Sequence, residues 1–202
     1  MSPRPYQLGR RQEQIEESRR RILAAARALL AETTSYTAFT VDAVARRADV
    51  ARATVYYQFE SKTGLLEALC DALAEDAGQL AGISSAMVNP DAGQALAGVV
   101  AAFGRLWAVD RPAMRRLRAF GALDPEVGAV VAARDQRRLQ LAKVLAGRAG
   151  PARAGIGDAE TAARMLWTLT SFETFDTLAG DRPLTDVTPV VAALAAAVFE
   201  GG

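Results

Sequence analysis

The chain has 202 residues, with 24 Lys and Arg, 23 Asp and Glu and no His, and its formal net charge is +1. This length suits one or two compact domains with a hydrophobic core. Without His and with a single Cys, the chain lacks the side chains of His-based catalytic triads, of His-containing zinc sites and of an internal disulfide. We therefore predict no metal site, no cofactor and no enzyme activity.

The N-terminal segment has no apolar signal core, and no uninterrupted apolar stretch approaches the roughly 20 residues of a membrane span. We therefore expect a cytoplasmic protein without a membrane partner. Its charge is uneven, because residues 1–62 carry 11 basic and 7 acidic side chains while the remainder carries 13 and 16. The basic end is the candidate surface for a polyanion, and an arm of Arg4, Arg10 and Arg11 either adds DNA contacts or is a solvated tail.

The abundance of Ala, Leu, Arg and Glu predicts an all-α protein of about nine helices. Capping residues and breaks set their bounds in chain order. The first four predicted helices run from about residue 13, from the Thr40 cap to about 48, from about 52 to 58 or 59, and from the Ser61 cap toward 81. The next two run from about 92 to 109 and begin at 111. The last three run from the Asp124 cap to about 145, from Asp158 to about 178, and near 187–200.

The second and third of these helices have the spacing of a helix-turn-helix over residues 39–69. Two helices that cross steeply need a small residue at their closest approach, and Ala45 supplies it. Asp49 follows where a left-handed turn is needed, a conformation that aspartate tolerates better than most residues. The small core around the turn is predicted to contain Val44, Ala48, Val50 and Val55.

The run TVYYQFESKTGLL resembles the recognition-helix signature of the TetR family of bacterial transcriptional regulators. The residues that carry the resemblance are Thr54, Val55, Tyr56, Tyr57, Gln58, Phe59 and Lys62. The match covers roughly residues 15–70, with Gln58 in place of the commoner His or Tyr and Asp49 in place of the commoner Gly. The resemblance implies a DNA-binding domain with its basic arm at 1–62, and a helical ligand-binding and dimerisation domain at 63–202.

A recognition helix reads bases in the major groove mainly with its N-terminal side chains. Arg52 is the candidate for a bidentate contact with guanine and Ala53 for a contact with a thymine methyl group. Thr40 and Lys62 lie at helix N-termini, where phosphates bind readily. Val55 and Phe59 are interpreted as core. The predicted DNA-binding set is Thr40, Arg52, Ala53, Thr54, Tyr56, Tyr57, Gln58 and Lys62.

Specific binding favours a dimer that places two recognition helices about 34 Å apart on one side of the duplex. The last two predicted helices carry apolar stripes and small residues that suit a four-helix bundle across a two-fold axis. The alternative is that these stripes complete the core of the single chain. The candidate interface residues are Leu166, Leu169, Phe172, Val187, Val191, Leu194 and Val198.

Bulky apolar side chains in the middle region are candidates for a ligand cavity, although each one also fits an ordinary core position. No Tyr follows residue 57, which favours a mainly apolar ligand. The family resemblance implies such a ligand, whereas the spacing does not establish it. The candidate lining residues are Phe103, Trp107, Met114, Phe120, Trp167 and Phe175.

The sequence therefore predicts a homodimeric TetR-like repressor that a small effector molecule releases from a palindromic double-stranded DNA operator by shifting a conformational population. Two alternatives remain open. The first is a helical-bundle carrier or enzyme without DNA binding, and the second is a TetR-like activator. The sequence of DNA that the purified protein selects would separate the first alternative from regulation.

Overall fold

The computed structural model describes residues 4–153 and 155–199, with side chains from Gln12 onward. These residues form eleven α-helices, two short 3-10 helices at Tyr36–Ala38 and Leu184–Val187, and no strand. The α-helices are α1 Arg4–Glu32, α2 Val41–Ala48, α3 Arg52–Phe59, α4 Lys62–Asp76, α5 Gln79–Met87, α6 Ala92–Val109, α7 Arg111–Gly121, α8 Pro125–Ala149, α9 Ala159–Leu169, α10 Phe172–Ala179 and α11 Thr188–Ala196.

The all-α class is confirmed, but about nine helices was too few, because two predicted helices are each divided. The helix predicted from Ser61 toward 81 stops after Asp76, and the chain turns at Gly78, whose φ of 59° lies in the left-handed region that glycine favours. The helix predicted over 158–178 ends at Leu169, and Ser171 then caps α10 through the Thr174 N–H.

The first helix begins at Arg4, earlier than the predicted start near residue 13. The side chains of Arg4, Arg10 and Arg11 lie outside those that the structure describes, so the proposed role of this arm stays a prediction. The break predicted over 82–91 is also shorter, because α5 continues to Met87 and Asp91 already caps α6.

The chain divides into two compact units. Unit 1 contains residues 1–72 and 115–130, and unit 2 contains residues 73–114 and 131–202. The predicted boundary after residue 62 therefore falls inside unit 1. Helices α4, α7 and α8 each contribute residues to both units.

Unit 1 is held together by a core between α1, the helix-turn-helix and the start of α4. Ile22 and Leu30 of α1 are fully or almost fully buried, as are Val44 of α2, Val55 of α3 and Leu65 of α4. Burying side chains of this size contributes about 1.5–3 kcal/mol each. Arg116 of α7 donates from Nε to the Thr33 carbonyl at 2.5 Å, which fixes the end of α1 against α7.

Unit 2 is built around α6, which packs against α5, α10 and α11. Gly104 explains one close approach, since a Cβ atom there would lie 2.5 Å from the Thr188 hydroxyl and 3.1 Å from the Phe175 ring. Arg111 donates to the Asp176 carboxylate at 2.6 Å and to the Gly180 carbonyl at 2.6 Å. These contacts join the start of α7 to α10.

By length and composition α6 is able to cross a membrane, with a mean hydropathy of 1.3 over 18 residues. Gln94 and Arg105 interrupt its apolar sequence. Half of this helix is buried inside the chain, including Val99 and Phe103. Such burial is typical of the core helix of a helical bundle.

Candidate nucleic-acid interface

The predicted helix-turn-helix is present, and local capping fixes both ends of its first helix. The Thr40 hydroxyl accepts from the Ala43 N–H at 3.1 Å, which satisfies an amide at the start of α2. Asp49 ends α2 in the left-handed conformation, at φ 52° and ψ 53°. Arg21 of α1 donates to the carbonyls of Ala48 and, at 2.8 Å, Asp49. The turn is therefore anchored to α1 as well as to its own helices.

Helix α3 has one buried and one exposed side. Val55 and Phe59 are 1% and 5% exposed and join the core, as the sequence predicted. The opposite side is a surface that we call the α3 face, defined as Arg52, Ala53, Tyr56 and Tyr57, and all four residues are exposed. On the α3 face, Tyr57 is the more exposed of the two tyrosines, at 74% against 39% for Tyr56. An aromatic residue that presents this much surface to solvent suits a partner better than a core.

Arg52 is held in place before any partner arrives. Its guanidinium lies 3.1 Å from the Asp42 carboxylate, donates to the Tyr56 hydroxyl at 3.2 Å and lies 5.3 Å from the centre of the Tyr56 ring. The Tyr56 hydrogen bond, followed by the charge of Asp42, raises the pKa of Arg52 above its ordinary value. Arg52 is thus a permanent cation with a defined direction on the α3 face.

Gln58 and Lys62 of the predicted DNA-binding set also have partners within unit 1. Gln58 is half-buried and donates from Nε2 to the Ile15 carbonyl at 3.4 Å, which turns its side chain toward α1. Lys62 Nζ lies 2.6 Å from Asp124 Oδ2, and both side chains are mostly buried. Thr54 is half-buried between the two sides of α3. The exposed members of the set are therefore Thr40 and the α3 face.

Asp124 has two functions in unit 1. Its Oδ1 accepts from the Glu126 N–H at 2.9 Å and caps α8, while Oδ2 pairs with Lys62. The hydrogen bond from Lys62 lowers the pKa of Asp124 below its usual value, so the Asp124 carboxylate is ionised at neutral pH. The start of α4 is thereby fastened to the start of α8.

The six candidate ligand residues do not all belong to one unit. Phe120 belongs to unit 1, whereas the other five belong to unit 2. Phe103 lines a small cavity in unit 2, and Trp107 stacks on it with ring centres 6.0 Å apart. Met114 and Phe175 are buried core residues. Trp167 is half-buried and packs under the guanidinium of Arg138 at 5.1 Å.

Most of the predicted interface stripe faces inward. Five of its residues are at most 3% exposed in the single chain, and they are Leu166, Phe172, Val187, Val191 and Val198. Leu169 is half-buried, and only Leu194 is clearly exposed, at 44%. Of this stripe, Leu194 is therefore the residue most accessible to a partner chain. Because α11 is apolar on every side, its sequence does not reveal which side is buried.

Sequence reasoning missed three side chains that organise these regions. Asp42 orients Arg52, Asp124 pairs with Lys62, and Arg138 is a buried cation beside Trp167. Asp124 was recognised as a helix cap, but its ion pair joins residues 62 positions apart. No local spacing signals such a pair. Asp42 and Arg138 carry no motif that would have singled them out in the sequence.

The class that this geometry defines is a helix-turn-helix protein with an exposed recognition-type helix. Residues 22–69 match the family model of bacterial regulatory proteins, tetR family. Over these residues the match confirms the resemblance to the TetR family noted in the sequence.

Solved structures share the fold over most of the chain. A TetR-like transcriptional regulator from a Rhodococcus species is 18% identical, with a TM-score of 0.63 over 88% of this chain and 93% of its own. The regulator FadR from Bacillus subtilis, in complex with stearoyl-CoA, is 20% identical, with a TM-score of 0.65 over 89% and 98%. The fatty acid degradation regulator FadR from Bacillus halodurans is 20% identical, with 0.62 over 91% and 96%. No curated protein matches the chain.

Proposed function

We propose that this protein is a cytoplasmic transcriptional regulator that binds a palindromic DNA operator through the α3 face. The observation that carries the proposal is the arrangement of α3, whose Val55 and Phe59 are buried while Arg52, Ala53, Tyr56 and Tyr57 are exposed. A short helix mounted in this way can enter the major groove of DNA. Because its target is chromosomal DNA, the protein acts in the cytoplasm of the bacterial cell.

Each exposed residue has a role that suits its chemistry. Arg52 forms a bidentate contact with guanine, and Ala53 packs against a thymine methyl group. Tyr56 and Tyr57 contact the DNA backbone with their hydroxyl groups, as Thr54 does from the edge of the face. Thr40 and Lys62 contact phosphates, and Lys62 must exchange Asp124 for a phosphate to do so. Gln58 is left out of this set because its side chain points toward α1.

The protein acts as a homodimer through an apolar surface of α11, which we call the α11 face. Val190 and Leu194 are 50% and 44% exposed, and the neighbouring exposed residues are Pro189, Ala193 and Ala197. The spacing of 190, 194 and 197 is that of a coiled-coil seam, and alanines permit close helix approach. A helix that is apolar on all sides is stable in water only when its outer side is also covered.

Unit 2 binds a small, mainly apolar effector that releases the protein from DNA, which makes the protein a repressor. The Bacillus subtilis FadR structure holds stearoyl-CoA, and the shared fold supports a small-molecule site in this unit. The effector shifts the DNA-binding equilibrium only to the extent that it prefers the conformation that does not bind DNA, typically by about 1–3 kcal/mol.

The test is selection from random duplexes with the purified protein, followed by affinity measurement on the enriched sequence at several salt concentrations. We expect an inverted repeat and an affinity that falls steeply with salt. Failure to enrich any sequence would contradict regulation and favour a carrier or an enzyme. Transcription of a template that carries the operator then separates repression from activation.

A further inference from the structure

Unit 2 contains a small cavity of about 10 Å³ between α6, α8 and α9. That volume holds about one water molecule. Seven of its nine lining residues are apolar, and six of these, among them Val99, Phe103 and Leu166, are at most 5% exposed. The two polar residues in the wall are Arg138 and Thr170.

Arg138 is the unusual member of this wall, because it is a cation that is only 5% exposed. Its Nη2 lies 3.0 Å from the Asp135 carboxylate, one turn earlier on α8. Its Nη1 donates to the Trp167 carbonyl at the end of α9 and, at 3.3 Å, to the Thr170 hydroxyl. The Trp167 ring stacks under the guanidinium at 5.1 Å, and the Trp167 Nε1 donates to the Asp135 carbonyl at 3.0 Å.

A buried ion pair is a costly way to fill an apolar cavity. Apolar side chains of similar volume are often as stable or more stable at such positions, so stability alone does not account for Arg138. The guanidinium is planar and suited to bidentate binding of a carboxylate. At Arg138 this cation is combined with an apolar wall on α6, α8 and α9.

We infer that this cavity is the effector site and that the effector is a carboxylic acid with an apolar body. Its carboxylate binds Arg138, displacing or joining Asp135, and its body lies between Val99, Phe103 and Leu166. The cavity must enlarge to admit such a ligand, so the ligand stabilises an open state of unit 2. That the ligand acts as an effector rests on the proposed function, whereas its binding to Arg138 does not.

Binding can be followed without a label, because the two Trp residues of the chain are Trp107, stacked on Phe103, and Trp167, stacked under Arg138. The probes are two matched pairs, octanoate with 1-octanol and phenylacetate with 2-phenylethanol, titrated into the full-length protein. We expect at least one acid to bind about tenfold or more tightly than its alcohol. Equal affinity of acid and alcohol in both pairs, or no binding of any probe at millimolar concentration, overturns the inference.

The variants Arg138→Met and Arg138→Lys test whether Arg138 provides the preference for acids. We expect Met to abolish the acid preference and Lys to retain part of it, since Lys keeps the charge but loses the planar fork. Arg148→Met is the matched control, because Arg148 also lies on α8 and donates to the carbonyls of Met87, at 2.7 Å, and Asn89. Circular dichroism identifies any variant that has lost its helices. An acid preference that survives in a folded Arg138→Met protein overturns the assignment.

DNA retention of the same preparations is measured separately. A protein that selects DNA but binds no acid contradicts the inference and leaves the proposed function standing. A protein that binds acids through Arg138 but selects no DNA supports the ligand site and contradicts the proposed function.

Discussion

The helix-turn-helix and α11 both consist of short helices, yet the sequence predicted which side is buried only for the helix-turn-helix. In α2 the charged residues Asp42, Arg46 and Arg47 mark the exposed side, so Val44 and Ala45 had to face inward. In α11 every side is apolar, and of the stripe predicted in and around it, Val187, Val191 and Val198 are buried whereas Leu194 is 44% exposed. Periodicity therefore locates a core only where polar residues identify the solvent side.

The largest effect on dimer formation and operator binding is expected when charge is placed on the exposed side of α11. Val190→Glu combined with Leu194→Glu should give a monomer, because carboxylates on the α11 face would be desolvated at a dimer interface. Affinity for the palindromic operator should fall about a hundredfold or more, since the second half-site no longer benefits from linkage. Sedimentation and operator titration measure the two effects.

The control for this pair is Val88→Glu, because Val88 is 81% exposed at the end of α5 and lies outside the α11 face. It should remain a dimer with unchanged operator affinity. A doubly substituted protein that stays dimeric would show that the exposed apolar side of α11 is not the interface.

In the helix-turn-helix, the largest single effect is expected at Arg52. Arg52→Ala should relax the preference at one base pair of each half-site, at a cost of about 1–3 kcal/mol for the preferred base. Arg46→Ala, an exposed arginine near the end of α2, is the control and should leave base preference intact. Selection from random duplexes with each variant gives the result. Full retention of specificity by Arg52→Ala would remove its role in readout.

A smaller effect is expected when the pair between Lys62 and Asp124 is broken. Asp124→Asn should reduce stability at pH 7 by about 1–3 kcal/mol, since a charge-assisted hydrogen bond is lost. The pKa of Asp124 is lowered in the folded state, so its contribution is complete above the ordinary carboxyl value of about 4 and declines as pH falls through the lowered pKa. Urea unfolding of both proteins between pH 3 and 7 should show the difference shrinking in acid.

Lys62→Met separates the two proposed roles of the lysine. A phosphate contact predicts that the slope of log affinity against log salt becomes shallower by about one unit. Asp124→Asn should not flatten that slope, because it leaves the ammonium in place. Equal loss of stability in both variants without any change in slope would restrict Lys62 to a structural role.

The smallest effect is expected at Gln58. Its Oε1 is buried without a hydrogen-bond partner among the described residues, which is an unfavourable state for a carbonyl oxygen. Gln58→Met should therefore leave stability unchanged or raise it by up to about 1 kcal/mol, and operator affinity should not change. Thermal unfolding and operator titration test both expectations. A clear loss of affinity would restore Gln58 to the DNA contacts that its sequence position suggested.

The sequence was most informative where structure depends on neighbours along the chain. The Thr40 cap, the left-handed turn at Asp49 and the burial of Val55 and Phe59 all follow from local geometry, and all are present. The two additional helix breaks escaped notice because each depends on one or two residues, Gly78 in the first case and Ser171 in the second. A glycine or a serine in a helix-forming context is a weak signal for a break.

Contacts between distant residues were beyond sequence reasoning for a different reason. The partner of Lys62 is 62 residues away, and the Trp167 ring that stacks under Arg138 is 29 residues from it. Without knowledge of helix packing, Asp124 cannot be chosen among the acidic residues as the partner of Lys62. Trp167 likewise cannot be chosen among the aromatic residues as the partner of Arg138. The same limit explains why the aromatic residues proposed as one ligand site are spread over two units.

The contact between Arg52 and Asp42 also bears on how such a protein would search a genome. A carboxylate beside the reading arginine is repelled by the phosphates of any duplex, so it weakens attachment to the vast excess of irrelevant sequence. If Arg52 reads guanine as proposed, only a site with guanine in the right place replaces the contact with Asp42 that Arg52 gives up. The acidic neighbour would then increase the difference in affinity between the correct site and its competitors.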